Sequence, residues 1–337
     1  MIVLVTGVTG FVAGHCVREL LTHGYDVRGT VRDPATADVA HLRAIAAETG
    51  RVFDVVRADL TDDAGWAEAV DGCACVWHVA SPNPTEVPRD PETLVRPAVD
   101  GTLRVLRAAA AAPSVKRVVY TSSVATIRLG HADLTKVRTE ADWSVPDGLD
   151  PYPRSKVLAE RAAWEFAEAN GLDLVVVNPG LVLGPLLNAA KPMSLEILRR
   201  IFAGEVPAVP RMSFAVTDAR DVAVGHRLAM ENPDAAGRYI LAGPSVWLGE
   251  MARVLDEEFA PLGYRVARRP APRWLLWVVG RWDRDVRMAL RYLDQPTLLS
   301  SDRAIRELGW TQRPVRESIV DAAESFVRFG TVDRPRP

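Results

Sequence analysis

Apolar residues in the first 180 positions alternate between two patterns. Short runs rich in β-branched residues, at 2–6, 26–31, 52–57, 74–79, 116–121 and 173–178, read as strands. Helical patterns lie between them near 11–23, 36–48, 62–70, 91–112 and 151–170, the fourth carrying the run Ala108 to Ala112 and closed by Pro113. This alternation predicts a doubly wound α/β fold, a parallel sheet with helices on both faces. After Pro179-Gly180 the pattern loosens into a Pro- and Gly-rich stretch, from Gly184-Pro185 to Pro207 and Pro210, which predicts loops and short helices. A helix around 219–231 and a strand around 238–242 resume the alternation, and mainly helices are expected beyond Gly243-Pro244. The expected sheet has seven strands in the order 3-2-1-4-5-6-7. Residues 1–180 plus 211–243 would form the sheet domain, and 181–210 plus 244–330 a smaller, mainly helical lobe. Five of the nine tryptophans (Trp247, Trp274, Trp277, Trp282, Trp310) fall in that lobe. Indoles at helical spacing read as packing, with an aromatic substrate pocket as the alternative.

Composition narrows the function classes. The 337 residues are 48% hydrophobic and 25% charged, which excludes disorder, collagen and a small disulfide scaffold. Lys+Arg 41 against Asp+Glu 43 leaves a net charge of -2, so no general positive field exists to attract nucleic acid or an anionic membrane. Of the three cysteines, Cys73 and Cys75 are close but lack the second Cys or His pair of a zinc site, so no metal is expected. The chain opens on a strand rather than a secretory signal, and the apolar run Trp274 to Gly280 is far below the ~20 residues of a membrane span. A cytoplasmic location is expected.

The first strand leads into Thr6-Gly7-Val8-Thr9-Gly10-Phe11-Val12-Ala13 and then a helix. Gly7 permits a tight turn, and Gly10 lets backbone approach a pyrophosphate whose charge the helix N-terminus stabilises. Ala13 stands where a third glycine often sits. The turn alone is weak evidence; its place directly after the first strand points to a dinucleotide held by Gly7, Thr9, Gly10, Phe11 and Val12. The second strand ends in Thr30-Val31-Arg32-Asp33-Pro34, beside the expected adenosine ribose. An NAD site places an acid there and a 2′-phosphate calls for arginine, so Arg32 argues for NADP(H). The alternative is a solvated Arg32 paired with Asp33, and Arg28 on the same face is a weaker candidate. Asp59-Leu60 would bound the adenine, unless Asp59 simply caps the helix expected near Thr61. His78, at a strand end near the cofactor, reads as a satisfied core histidine.

The fifth strand ends in Thr121-Ser122-Ser123, and Tyr152-Pro153-Arg154-Ser155-Lys156 opens a later helix. Residues i and i+4 share a helical face with Cβ atoms ~6 Å apart, so the ammonium can act on the phenol. Moving a tyrosine from pKa ~10 toward 7 takes ~4 kcal/mol of preferential stabilisation of the phenolate, which a cation in a dry site can supply. Such a phenol donates a proton to a carbonyl oxygen as hydride reaches carbon.

Together, Thr6-Gly7-x-x-Gly10-x-x-Ala13, Asp59-Leu60, Ser122-Ser123, Tyr152-x-x-x-Lys156 and Asn178-Pro179-Gly180 resemble the extended short-chain dehydrogenase/reductases. The closest resemblance, over about residues 1–245, is to their dihydroflavonol reductase, cinnamoyl-CoA reductase and microbial aldehyde/ketone reductase branch. It implies a Rossmann-like dinucleotide domain with a substrate lobe, and NADPH-dependent reduction of an aldehyde or ketone, reversible as an alcohol dehydrogenase. Carried over by position, Ser123 orients the carbonyl, Tyr152 is the general acid, and Lys156 binds the nicotinamide ribose. Val79, Ala80, Ser81, Thr121, Ser122, Pro179 and Leu181 would line the cofactor. Val124, Arg128, Trp143, Leu186 and Met193 are candidate substrate walls, and the resemblance allows a monomer or a homodimer. The main rival is a nucleotide-sugar epimerase or dehydratase. Those enzymes usually carry Asn and Arg where this chain has Ala98 and Val175, and the dehydratases an acid where Val124 stands. A hydroxysteroid-type dehydrogenase would suit the apolar lobe, and a non-catalytic NADP-sensing protein would be expected to have a broken Tyr-x-x-x-Lys.

Overall fold

The computed structural model describes residues 1–82, 90–282 and 284–334. In chain order the elements are β1 (Ile2–Val5), α1 (Phe11–Thr22), β2 (Asp26–Val31), α2 (Ala40–Thr49), β3 (Phe53–Arg57), α3 (Trp66–Val70), β4 (Cys75–His78) and α4 (Glu92–Ala111). They continue with β5 (Arg117–Thr121), α5 (Pro151–Asn170), β6 (Leu174–Pro179), β7 (Leu181–Leu183), α6 (Met193–Phe202), β8 (Ser213–Asp218), α7 (Ala219–Glu231) and β9 (Gly237–Leu241). The last are β10 (Ser245–Trp247), α8 (Leu248–Phe259), α9 (Arg273–Val279), α10 (Arg284–Ala289), α11 (Asp302–Leu308) and α12 (Val315–Arg328).

Seven strands form one parallel sheet in the order β3-β2-β1-β4-β5-β6-β9, the expected order with β9 as seventh strand. The parity of the strands explains why both faces are covered. Val3, Val5, Trp77, Val119, Val175 and Val177 pack on one side with α1, α2 and α7. Their neighbours Leu4, Val76, Val118, Tyr120, Leu174 and Val176 pack on the other with α3, α4 and α5. A strand apolar at every position is stable only when buried on both faces, each fully buried aliphatic side chain contributing about 1.5–3 kcal/mol.

The lobe departs from the expected loops and helices in one respect. Strands β7, β8 and β10 make a small second sheet, β8 parallel to β7 and antiparallel to β10. Thus β8, within the 211–243 segment expected to belong to the large domain, pairs with the lobe, while α7 after it packs on the main sheet. Gly180 makes the switch between sheets, because a Cβ there would lie 2.1 Å from the Ala215 carbonyl oxygen. The lobe core gathers Leu195, Leu198 and Phe202 of α6, Met251 and Leu255 of α8, and Ile319 and Phe326 of α12.

The packing role expected of the C-terminal tryptophans holds for Trp310, which is buried and donates its indole N–H to the Asp221 carbonyl at 2.8 Å. It fails for Trp274, Trp277 and Trp282, whose side chains are 68%, 55% and 81% exposed. No described helix is long and apolar enough to cross a membrane.

Candidate active site

The C-terminal ends of the parallel strands lie along one edge of the sheet. Gly7 has a left-handed backbone (φ 68°), and a Cβ on it would sit 2.9 Å from that of Ala80, so the turn after β1 lies directly on the chain leaving β4. The Thr6 hydroxyl joins the two segments, accepting from the Val79 and Ala80 amides at 3.0 and 2.9 Å. Gly10 caps α1 with no side-chain hydrogen bond, and the first turn contains no acid. Its exposed N–H groups and positive dipole end are therefore open to an anion, as a pyrophosphate requires. Phe11 and Val12 begin this helix.

The candidate cations around the end of β2 differ in their contacts. Arg28 is committed to the fold, donating to the carbonyls of Glu68, Ala69 and Asp71 at the end of α3. Asp33 does not pair with Arg32; it accepts from the Ala35 amide and the Thr36 hydroxyl, both at 3.0 Å, in its own turn. Arg32 is exposed and, among the described residues, has no carboxylate within 4.0 Å. Arg57, which the sequence analysis missed, ends β3 opposite Val31 and is likewise unpaired. Both cations help to hold the Asp59 carboxyl below its ordinary range, behind the larger effect of the Thr61 amide. Asp59 accepts from the Thr61 amide and hydroxyl, each at 2.8 Å, and Leu60 follows it in this turn rather than at a helix start, since α3 begins at Trp66.

His78 is a satisfied core residue as expected. It bonds Thr6 Oγ1 at 3.0 Å, stacks on Tyr120, and is pulled down to about 3 by burial and then by the Lys156 charge. Thr121 and Ser122 direct their hydroxyls inward, Thr121 to His226 Nε2 at 2.6 Å and Ser122 to the Glu160 carboxylate.

Ser123, Tyr152 and Lys156 come together. Ser123 opens the single-turn helix Val124–Thr126, its hydroxyl accepting from the Ala125 amide at 3.1 Å. Tyr152 lies in the first turn of α5, started by Asp150 and Pro151, and is 41% exposed. The Lys156 ammonium lies 6.0 Å from the Tyr152 ring centroid. The lysine is 5% exposed and, among the described residues, makes no ion pair or hydrogen bond. Burial lowers it to about 8 despite the Glu160 charge acting upward. Burial raises Tyr152, and the hydrogen bond with Ser123 acts the other way. Loss of solvation favours the neutral form of a phenol. The consequence is a tyrosine that holds its proton at neutral pH.

Beneath these three lies a buried polar cluster that spacing did not reveal. Glu160, fully buried on α5, makes an ion pair with Arg238 of β9 at 2.6 Å, too oblique for an aligned hydrogen bond. It also accepts from Thr126 at 2.7 Å and Asn178 at 3.0 Å. Asn178 reaches the Ser123 carbonyl at 3.3 Å, so the carboxylate fixes the serine segment through three neighbours. The one readable signal was Glu160 at i+4 from Lys156 on the helix face already singled out.

The substrate candidates separate. Val124 and Leu186 are buried in apolar clusters, and Trp143 is stacked by Arg238 and Arg161 at 3.9 and 5.4 Å. Met193 is exposed at the start of α6, and Arg128 lines a cavity. Pro179 and Leu181 flank Gly180 at the junction of the two sheets.

Comparison with known proteins followed this geometry. The NAD dependent epimerase/dehydratase family model matches residues 3–243. Cinnamoyl-CoA reductase 2 of Arabidopsis thaliana is 35% identical over 342 residues, covering 99% of this chain and 95% of the relative. The (2S)-flavan-3-ol-forming anthocyanidin reductase of Vitis vinifera is 36% identical over 76% of this chain and 80% of its own. The solved yeast methylglyoxal/isovaleraldehyde reductase Gre2 complexed with NADPH superposes with a TM-score of 0.80 at 26% identity, covering 98% of this chain and 99% of that one.

Proposed function

Starting from a chain that belongs to the NAD-dependent epimerase/dehydratase family, the extended short-chain dehydrogenase/reductases, we propose that it is an NADPH-dependent reductase of aldehydes or ketones. The observation that carries this reading is the convergence of Ser123, Tyr152 and Lys156, with the Lys156 charge acting on His78, which bonds Thr6 at the start of the Gly7–Gly10 turn. Reductase relatives, rather than epimerases, lead the sequence comparison, and the Gre2 structures bound to NADPH support the cofactor.

NADP(H) suits the residues present. The uncapped α1 N-terminus would hold the pyrophosphate, Arg32 and Arg57 the 2′-phosphate, and the unpaired Lys156 the nicotinamide ribose. When bound, the reduced nicotinamide supplies hydride to the carbonyl carbon. Ser123 Oγ and Tyr152 Oη orient the carbonyl oxygen by hydrogen bonds. Tyr152, kept protonated by its surroundings, gives its proton to that oxygen as negative charge develops there. The Lys156 ammonium stabilises the phenolate left behind. The Glu160–Arg238 pair keeps the serine segment in place.

Tyr152→Phe tests the assignment because it keeps the ring and removes the acid. NADPH should bind and the fold should melt as in the wild type, while reduction falls roughly 10²–10⁴-fold. Turnover within a few-fold of wild type at equal NADPH affinity would remove Tyr152 from the mechanism.

A further inference from the structure

A cavity of about 250 Å³ lies between the serine segment and the C-terminal lobe. One wall is Arg128, which follows the turn begun by Ser123. The facing wall is Gly148-Leu149, which leads into Asp150 and so to Tyr152, and Tyr292 closes a side by donating to Asp150 at 2.8 Å. Ser123 and Tyr152 are not in its lining; in the chain Arg128 comes shortly after Ser123 and Leu149 shortly before Tyr152.

Its cations are not equivalent. Lys136 and Arg138 share Asp142 at 2.9 and 3.1 Å, Arg291 reaches Asp150 at 3.4 Å, and the Asp133 carboxylate, which also lines the cavity, accepts from the Thr135 amide and hydroxyl at 2.8 and 2.7 Å. Arg128 alone among these has no carboxylate within 4.0 Å among the described residues. It donates to Thr297 Oγ1 at 3.0 Å, and its guanidinium carbon stands 5.8 Å from the Tyr292 ring centroid. A guanidinium has five N–H donors in a fork that matches a carboxylate, and one protein acceptor leaves most of them for the cavity. Burial opposes the Arg128 charge, whereas the other cations have local counter-charges. A half-buried guanidinium without a counter-ion is unfavourable unless another molecule completes it.

We propose that this cavity is a carboxylate subsite: the preferred substrate is a small carbonyl compound carrying an anionic carboxylate, which Arg128 grips while Ser123 and Tyr152 hold the carbonyl. The inference rests on the reductase reading above and deepens it by naming the substrate class. The cavity volume suits a small acid rather than a nucleotide.

The test pairs 3- and 4-carboxybenzaldehyde with their methyl esters, which differ in charge at one end. In the wild type with NADPH, kcat/KM for at least one acid should exceed that of its ester by tenfold or more, mainly through KM. Arg128→Gln should lower that acid-to-ester ratio at least tenfold, and Arg128→Lys should restore part of it by returning the charge. Binding of isophthalate and terephthalate, which cannot be reduced, gives an independent readout by calorimetry and should weaken about 10- to 100-fold in Arg128→Gln. Esters reduced as well as both acids, or a ratio indifferent to Arg128, would overturn the inference while leaving the reductase reading intact. If no carbonyl consumes NADPH, the reductase reading falls. The subsite then stands on Arg128-dependent dicarboxylate binding and is overturned by its absence.

Discussion

Glu160→Gln is the perturbation from which the structure predicts most. The carboxylate is fully buried and faces Arg238, whose side chain is 7% exposed, at 2.6 Å. Removing one partner of a buried pair costs about 3–5 kcal/mol because the other charge is left uncompensated. Several contacts survive: Arg238 keeps Thr126 at 2.8 Å, the Glu140 and Asp142 carbonyls at 2.9 and 2.8 Å, and the Trp143 face. A glutamine oxygen can still accept from some of Ser122, Thr126 and Asn178. The loss should therefore lie near the lower bound, about 3 kcal/mol, or roughly 4 °C in melting temperature for a chain of this size. Urea titrations of Glu160→Gln, Arg238→Met and the double variant would measure it. The double variant should be at least ~1.5 kcal/mol more stable than the two single losses added together, since it leaves no orphan charge. A single loss under ~1 kcal/mol, or additivity within ~0.5 kcal/mol, would refute the claim that the two charges stabilise each other.

Arg32→Ala and Arg57→Ala should each weaken NADPH binding about 10- to 100-fold and leave NADH nearly unchanged. Fluorescence titration with both cofactors checks this, and equal losses for the two would return the arginines to the solvated surface. Burial lowers Lys156 to about 8, so its charge is present below that pH and lost as pH rises through it; kcat/KM for reduction should decline above pH 8. Glu160→Gln should move that decline to lower pH, because the carboxylate raises Lys156, whereas a purely structural role would leave the profile in place. Gly180→Ala should cost about 3 kcal/mol or more from overlap with the Ala215 carbonyl. Gly249→Ala, in open space within α8, should stabilise slightly, and thermal melts of the pair compare them.

The large sheet was legible because its central strands β1, β4, β5 and β6 are apolar on both parities over most of their length and helical patterns lie between the strands, signals contained within a dozen residues. What the sequence concealed required partners far away in the chain. The helix expected from residue 36 begins at Ala40, because the Asp33 carboxylate ties Ala35 and Thr36 into a turn that helical spacing does not register. Strands β7 and β10 are three residues each and are stabilised by β8 between them, so neither has a periodicity of its own. The exposed Trp274, Trp277 and Trp282 show the reverse error, since helical spacing of indoles gives a face and does not show that anything covers it.

The candidate site divides along the same line. Tyr152 and Lys156 lie four apart on one helix, so their encounter is local and readable. Ser123 and Glu160 acquire their roles only when β5, α5, β6 and β9 are assembled, because Asn178 of β6 joins the carboxylate to the serine segment and Arg238 on the edge strand supplies its counter-charge. The arginines make the point most sharply. Arg28 and Arg32 share a strand face by alternation, yet Arg28 is consumed by three carbonyls of the α3 terminus while Arg32 has no carboxylate within 4.0 Å among the described residues. Arg128 and Arg138 line one cavity, yet only Arg138 has an aspartate. In a chain with nearly balanced charge, most cations find carboxylates or carbonyls within the fold. Among the candidate-site cations Arg32, Arg57, Arg128 and Lys156 have no carboxylate within 4.0 Å among the described residues, and by the readings above they would meet an anionic cofactor at one end and an anionic substrate at the other.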